Sequence, residues 1–384
     1  MKILFIGDGV VPTGFARVIH NIIKHLPEDW EVHHLAINYA GDPHDYKHKI
    51  YPAALGGDVY GLGRIEQLQG LEPDLIFILN DIWMVDLFLD KIKSKWKSRI
   101  PPVVVYYPVD AEDFDESWYK NFDIVTHSVV YTKFGERVTK KAVPWLKPIS
   151  IIPHGTDTDV FYKMGKQEAK DRLFAESNEI RENSFIVLNA NRNQPRKRID
   201  IAIKGFTLFA EGKDNVYYYH HAGLKDAGWN ITKLALRYKI DKKLITTGNT
   251  IREQSVPEEV LNIIYNAADV GVNTGMGEGW GLTSTEHAAC GVPQIVPDHS
   301  ACKELFEDVG LLIPTSYSFV YEETLTTAKI VTPEDFAEQL EILYSDKELQ
   351  KVLANSSYEK FTSEKYLWKT VSKQFRDIFR DILS

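Results

Sequence analysis

Cysteine is nearly absent from this chain of 384 residues, with Cys290 and Cys302 the only two. Two thiols cannot staple a protein of this length and are not arranged as a zinc site, so a disulfide-built secreted fold is excluded and a reducing compartment is the natural home. Long apolar runs are absent as well. The opening Met1 to Asp8 offers four consecutive apolar residues, Ile3 to Ile6, before Gly7 and Asp8. That is a buried strand rather than a signal-peptide core of about 7 to 15 apolar residues. Nothing later approaches the roughly 20 apolar residues of a membrane helix. There is no basic excess either: 45 Lys and Arg against 54 Asp and Glu give a net charge of -9. The molecule as a whole repels nucleic acid and anionic membrane, and either partner would need a local basic patch. These absences point to a cytoplasmic protein, with attachment at a membrane surface left open.

The chain has ample material for cores, with 44% apolar residues. At about 150 residues per domain the length suits two or three domains, two being the simpler reading. Short β-branched runs alternate with helix-like stretches, the pattern of parallel sheets covered by helices on both faces. In the first half the pattern predicts strands over Lys2–Ile6, Glu31–Ile37, Leu75–Leu79, Val103–Tyr107 and Ile124–His127, with helices over Phe15–Leu26 and Ile82–Lys95. In the second half it predicts strands over Phe185–Asn189, Val216–His220, Leu244–Thr247, Val270–Asn273, Gln294–Val296 and Leu311–Ile313. Pro153 and Gly155 interrupt the pattern and mark the hinge. The expected domains are 1–155 and 156–364. A terminal amphipathic helix over 365–384 follows, whose docking partner the pattern leaves open, the first domain among the options.

The stretch Gly275–Glu286 follows an apolar strand and runs into a helix. Glycines let backbone N–H groups approach a ligand, and a helix start adds unpaired donors with partial positive charge, so strand, glycine loop and helix form an anion cradle. Glu278 in the loop and Glu286 in the helix bracket it: one carboxylate can face a sugar while the other accepts hydrogen bonds from ribose hydroxyls. A second loop, after the strand ending at Asn189, carries four cations in seven residues, Arg192, Arg196, Lys197 and Arg198. Ligands of open α/β sheets bind beyond the carboxyl ends of the strands. Two such loops, one offering cations and one offering amides, can converge on a diphosphate. Cleaving a nucleotide-sugar bond builds negative charge on the departing phosphate, and fixed cations and N–H donors lower that barrier.

The pair Glu278 and Glu286, the run Ala288–Pro293, the pair Arg192 and Lys197, and the linker Ile152–Phe161 together resemble the GT-B retaining glycosyltransferases of family 4. The resemblance implies two facing Rossmann-like doubly wound parallel-sheet domains with an interdomain cleft, the first shaping the acceptor side and the second holding a nucleotide diphosphate sugar, UDP- or GDP-linked. It implies retaining transfer of a hexose-type sugar to a hydroxyl acceptor, a glycan or lipid-linked saccharide, with no cofactor and no metal. By position, Arg192 and Lys197 bind and stabilise the diphosphate, Glu278 contacts the donor sugar, and Glu286 holds the ribose. The backbone of Gly279, Trp280, Gly281 and Leu282 meets sugar and phosphates, residues near Thr250–Arg252 flank the base, and Gly14 belongs to the glycine loop of the first domain. The sequence departs from the family in three places. Gly14 stands without an adjacent glycine, Asn191 and Arg198 stand where glycines flank the arginine and lysine, and the sugar-contacting histidine has no clear counterpart. Asp110, after the strand Val103–Tyr107, can replace that histidine by accepting a hydrogen bond from a sugar hydroxyl, with His127 as the alternative.

Three further features compete for attention. Asp110–Glu116 packs five acids into seven residues, the pattern of a solvated loop or helix start more than of a metal or cationic-acceptor site. Lys91–Arg99 surrounds Trp96 with basic residues, a surface able to rest on anionic lipid but equally an ordinary helix end. His44 and His48 have helix-like ligand spacing in a polar loop with no partner in view, and are set aside as a metal site. Competing functions are transfer of sugar to modified nucleic acid, for which Arg196–Arg198 is the only hint, a non-catalytic nucleotide-sugar-binding module, and a GT-B epimerase or phosphorylase.

Overall fold

The computed structural model describes residues 1–96, 99–248 and 256–384. They divide into two units, Met1–Gly155 with Thr324–Thr326 and Trp368–Ser384, and Thr156–Glu323 with Thr327–Leu367.

In the first unit, strands β1 (Lys2–Asp8), β2 (Glu31–Ile37), β3 (Lys49–Pro52), β4 (Leu75–Leu79), β5 (Val103–Tyr107), β6 (His127–Val130) and β7 (Ile149–Ile151) form one sheet in the order β3-β2-β1-β4-β5-β6-β7. All its pairings are parallel. The central strands are apolar along their whole length because helices cover both faces: β4 and β5 are buried at every residue. The helix Gly14–Lys24 begins at Thr13, whose hydroxyl accepts from Ala16 N at 3.2 Å and donates to the buried Asp8 carboxylate at 2.6 Å. The chain's last helix, Trp368–Leu383, belongs to this unit. It buries Trp368, Val371, Phe375 and Phe379, and its Phe375 ring lies 5.4 Å from Phe77 and 4.9 Å from Tyr106. The spacing of three and four read in the sequence is therefore a face laid on β4 and β5.

In the second unit, β8 (Phe185–Asn189), β9 (Val216–His220), β10 (Leu244–Thr246), β11 (Val270–Val272), β12 (Gln294–Pro297) and β13 (Leu311–Ile313) form a parallel sheet in the order β10-β9-β8-β11-β12-β13. A ribbon of β14 (Tyr317–Val320) and β15 (Thr327–Ile330) is antiparallel. The helices Ile199–Phe209 and Pro333–Ser345 cross so closely that a Cβ on Gly205 would sit 2.6 Å from Phe336. In each sheet the order reverses beside the first strand, between β1 and β4 and between β8 and β11, which opens a crevice at the carboxyl ends of those strands. Among the described residues no helix is long and apolar enough to cross a membrane.

The two parallel α/β sheets match the expected fold class. Several elements differ. β6 starts at His127, where the pattern predicts a strand ending there, because Phe122–Ile124 is a 3-10 turn packed on the core and the strand lies over Val129 and Val130 instead. The sequence pattern also misses β3, β7, β14 and β15 and the helices Lys133–Ala142, Pro333–Ser345 and Lys347–Phe361. The strands among these are short and edge-placed or exposed, so their apolar signal is weak.

Gly155 is fixed by the terminal helix: an added Cβ would lie 2.5 and 2.7 Å from ring atoms of Trp368 and 2.8 Å from its Cα. Gly155→Ala is expected to lower stability by about 1–3 kcal/mol, measured by urea unfolding, and an unchanged midpoint would refute the contact. Burial also holds His154, His220 and His287 neutral, pushing them down to about 3, 4 and 3. Because the folded values lie below 6.5, the unfolded chain takes up these protons first as pH falls. Stability is therefore lost from about pH 6.5 downward, by up to about 1.4 kcal/mol per pH unit for each histidine. Unfolding curves at pH 7.5 and 5.5 test this, and equal stability at the two would contradict it.

Candidate active site

Two loops flank the reversal point of the second sheet, residues 190–198 leaving β8 and residues 273–281 leaving β11. Their backbones are tied together. Met276 N donates to Arg196 O at 2.8 Å, and the Thr274 hydroxyl donates to Arg198 O at 3.0 Å. The 3-10 turn Pro195–Lys197 directs Lys197 inward, leaving it 8% exposed. Its Nζ meets Glu278 Oε1 in a buried ion pair and lies 3.3 Å from Asn191 Oδ1. Glu278, 5% exposed, accepts a further hydrogen bond from Asn273 Nδ2 at 3.0 Å, and its own N–H donates to Ser300 Oγ at 3.0 Å. The Arg196 guanidinium stands 3.8 Å from Glu278 Oε2 and donates to Gly277 O at 3.2 Å.

Electrostatics follows from this packing. Burial alone would raise the Glu278 carboxyl, but attraction by Lys197 and Arg196 with the bonds from Lys197 and Asn273 outweighs it, and the group lies below its usual range. Burial pulls Lys197 below an ordinary lysine despite Glu278 beside it. Each group is thus the other's counter-charge, in a site where a charge is costly unless matched. The helix Leu282–Ala289 starts behind Gly281, which takes φ 90° and ψ 57°, a left-handed conformation glycine adopts without a Cβ penalty. The helix thus starts directly after the loop that carries Glu278, and a helix start offers unpaired amides and partial positive charge. Glu286 is buried within that helix, and Trp280 packs inside the unit with its ring 6.0 Å from Tyr366. Gly279 and Leu282 stand on either side of the Trp280–Gly281 bend. Such a site can take an anion on Lys197, Arg196 and the loop amides while keeping a carboxylate, Glu278, within reach of it.

Residues 170–360 match the family model of the glycosyl transferases group 1. The match supports the group 1 glycosyltransferase family for this chain. Solved structures of the same architecture include sucrose-phosphate synthase from Thermosynechococcus elongatus, 16% identical over 99% of this chain and 98% of that one with a TM-score of 0.77. Anabaena Alr3699/HepE in complex with UDP and glucose is 15% identical over 99% and 100% with a TM-score of 0.73. WaaG, a glycosyltransferase involved in lipopolysaccharide biosynthesis, is 14% identical over 99% of each chain with a TM-score of 0.71. At these identities the likeness shows the fold, which is GT-B. No curated protein matches the chain by sequence.

The departures from the group 1 pattern acquire physical reasons. Arg198, where the resemblance has glycine, takes φ 48° and ψ 48°, and its guanidinium is anchored to Asp200 at 2.8 and 3.0 Å. Asn191 uses the side chain a glycine lacks: its Nδ2 donates to Val272 O at 3.2 Å and its Oδ1 faces Lys197. Arg192 is engaged differently from the expected diphosphate contact. Its side chain is half exposed and its Nε donates to Asp226 at 2.7 Å. Asn273, Ser300 and Asp226 are not singled out by sequence reasoning. Asn273 ends the strand before the glycine loop and could have been found there, whereas Ser300 and Asp226 come from remote segments with no local signal. Arg252 and Thr250 lie outside the described residues.

In the first unit, Gly14 opens the helix after β1 and Asp110 follows the carboxyl end of β5. His127, by contrast, opens β6 and pairs with Val104 in the parallel register, which puts it toward the amino-terminal side of the sheet, and its Nε2 lies 2.8 Å from Ser150 Oγ. That position packs it among strands, while Asp110 stands past the carboxyl end of β5. The acidic run is matched by cations, Glu112 with Arg137 at 2.7 Å and Asp113 with Lys141 at 2.7 Å. Trp96 is buried, donating to Ile65 O at 2.7 Å, while Lys93 and Lys95 pair with Asp123 and Glu66. Both cysteines are buried, which raises their thiols.

Removing one member of the buried pair leaves an uncompensated charge. Lys197→Ala is expected to cost about 3–5 kcal/mol in urea unfolding, and the double variant Lys197→Met with Glu278→Leu to recover most of that loss. A double variant no more stable than Lys197→Ala would show that the pair is not the source of the cost.

Proposed function

We propose that this chain is a retaining, metal-independent glycosyltransferase of family 4 that moves a hexose-type sugar from a nucleoside diphosphate sugar to a hydroxyl acceptor, a glycan or lipid-linked saccharide. The observation that carries the reading is the buried Lys197 ammonium, fixed by Glu278 and Asn191 beside a glycine loop and a helix start. As the anomeric C–O bond breaks, its electron pair passes to the diphosphate. Lys197 and the amides of Gly279 to Leu282 receive the developing charge, with Lys197 held by Glu278 so that little reorganisation is needed, and Arg192 joins them by leaving Asp226. The acceptor oxygen bonds to the anomeric carbon on the face the diphosphate leaves, and its proton goes to a departing phosphate oxygen. Glu278 contacts the donor sugar as a carboxylate, kept ionised by Lys197 and Arg196. Glu286 accepts from the ribose hydroxyls and Arg252 flanks the base. Gly14 and Asp110 are the first unit's contributions, to the phosphates and to the sugar.

UDP is favoured as the nucleotide because the similarly folded HepE is a complex with UDP and glucose. The nucleic-acid alternative is weakened by the pairing of its basic hint: Arg196 and Lys197 face Glu278, and Arg198 faces Asp200.

A thermal-shift panel of UDP, GDP, ADP and their sugars tests the reading, since a ligand at about 100 times its dissociation constant adds about 2.7 kcal/mol of stability. UDP and UDP-hexoses are expected to raise the midpoint, and no response to any nucleotide would end the proposal. Lys197→Ala is expected to lower turnover by about 10² to 10³. Arg192→Ala with parental turnover would remove Arg192 from the diphosphate.

A further inference from the structure

The loop carrying His44 and His48 is set aside in the sequence for want of a partner, and the fold supplies one. His20 comes from the helix after β1, His34 from the middle of β2, and His48 from the residue before β3. One ring nitrogen from each lies within 4.8 Å of the other two. The rings surround one another, with centroids 5.6 Å apart for His20 and His34, 5.5 Å for His20 and His48, and 5.7 Å for His34 and His48.

Hydrogen bonding fixes which nitrogens are available. His20 Nε2 lies 3.1 Å from Gly9 O and His34 Nε2 lies 3.2 Å from Gly7 O. A carbonyl only accepts, so both Nε2 atoms carry the hydrogen and both Nδ1 atoms present lone pairs. His20 Nδ1, His34 Nδ1 and His48 Nε2 are buried and have no hydrogen-bond partner. A buried acceptor left without a partner costs about 1–3 kcal/mol, and a proton between two rings would satisfy only two of the three. A cation satisfies all three at once. Imidazoles whose second nitrogen donates to a backbone carbonyl are the usual arrangement around a bound metal, because the carbonyl fixes tautomer and ring orientation.

We propose that His20, His34 and His48 bind one zinc-type divalent cation, which clamps the loop before β3 onto the β1–β2 end of the first sheet. The donor set names the metal class: three neutral imidazoles, with no carboxylate among the three ligands, suit zinc and its late first-row neighbours and do not suit magnesium or calcium. Zinc bonds of about 2.0–2.1 Å bring ligand nitrogens to roughly 3.3 Å from one another, so the rings close by about 1.5 Å at most. His48 can move because it lies in the segment before β3, outside regular structure. A fourth position is left for water or for His44, whose ring lies 5.7 Å from Tyr46. Tyr46 stacks on His20 at 3.6 Å and covers the site. The site shares no residue with the donor-binding loops, so its role is structural: of its carbonyl partners, Gly7 lies at the end of β1 and Gly9 begins the loop that leads to Gly14. It stands whether or not the proposed transferase reading does.

The test uses the untagged full-length chain, stripped with chelator and dialysed, then titrated with Zn²⁺ alone and, separately, with Mg²⁺. One bound zinc per chain is expected, with a raised unfolding midpoint and an absorption-edge spectrum of nitrogen neighbours near 2.0 Å. His20→Ala and His48→Ala should each weaken zinc binding by at least about ten-fold, while His127→Ala leaves it unchanged. His34 is fully buried and its variant can fail to fold, whereas His48 is only half-buried and Ala there keeps the experiment readable by circular dichroism. Less than a tenth of an equivalent of zinc retained, binding undiminished in both variants, or magnesium bound equally well would each overturn the proposal.

Discussion

The second unit is organised around one buried charge pair, Lys197 with Glu278. Each member is too deeply placed to be ionised alone, so each requires the other, and the loops that carry them must meet. That requirement explains the surrounding bonds. Asn191 and Asn273 satisfy what the pair leaves over, Ser300 takes the Glu278 N–H, and Met276 and Thr274 stitch the backbones. A polar network of this kind tolerates little error, because a missing partner exposes a neighbour to the full cost of burial. It also makes a charged site suited to an anion: Lys197 and Arg196 converge on one carboxylate that an incoming anion can replace as their counter-charge.

Much of this arrangement is written locally in the sequence. A glycine loop after an apolar strand and before a helix is a recognisable pattern, and Gly281 at φ 90° needs its glycine. The cation loop is legible because strand-end position and charge density appear together within nine residues. The central strands of both sheets fall where their apolar runs lie, since burial on both faces leaves no polar positions to blur the ends. What fails to show is whatever depends on distant segments. Asp226 beside Arg192 and Ser300 beside Glu278 come from other loops, and no spacing announces them. The strand at His127 is displaced for a subtler reason. Ile124 and Val125 carry the apolar signal of a strand but pack as a turn, so the strand begins three residues later and the histidine changes ends of the sheet.

The histidines of the first unit show the same lesson from the opposite side. Read along the chain, His20, His34 and His48 look unrelated, each in a different element. The parallel register brings them together, because β1, β2 and β3 are neighbours and the helix after β1 lies over them. A three-residue constellation contributed by three elements has no motif, only a topology.

The first unit is not finished by its own first 155 residues, since the helix Trp368–Leu383 covers β4 and β5 through Phe375 and Phe379. A ribosome adding about 5–20 residues per second therefore releases the missing piece only after a further ten seconds or more of translation. Throughout that interval the aromatic face formed by Phe77 and Tyr106 has no cover, while the second unit has already emerged. The N-terminal half therefore stays unsealed until the last helix is made, and a truncation ahead of Trp368 removes its cover.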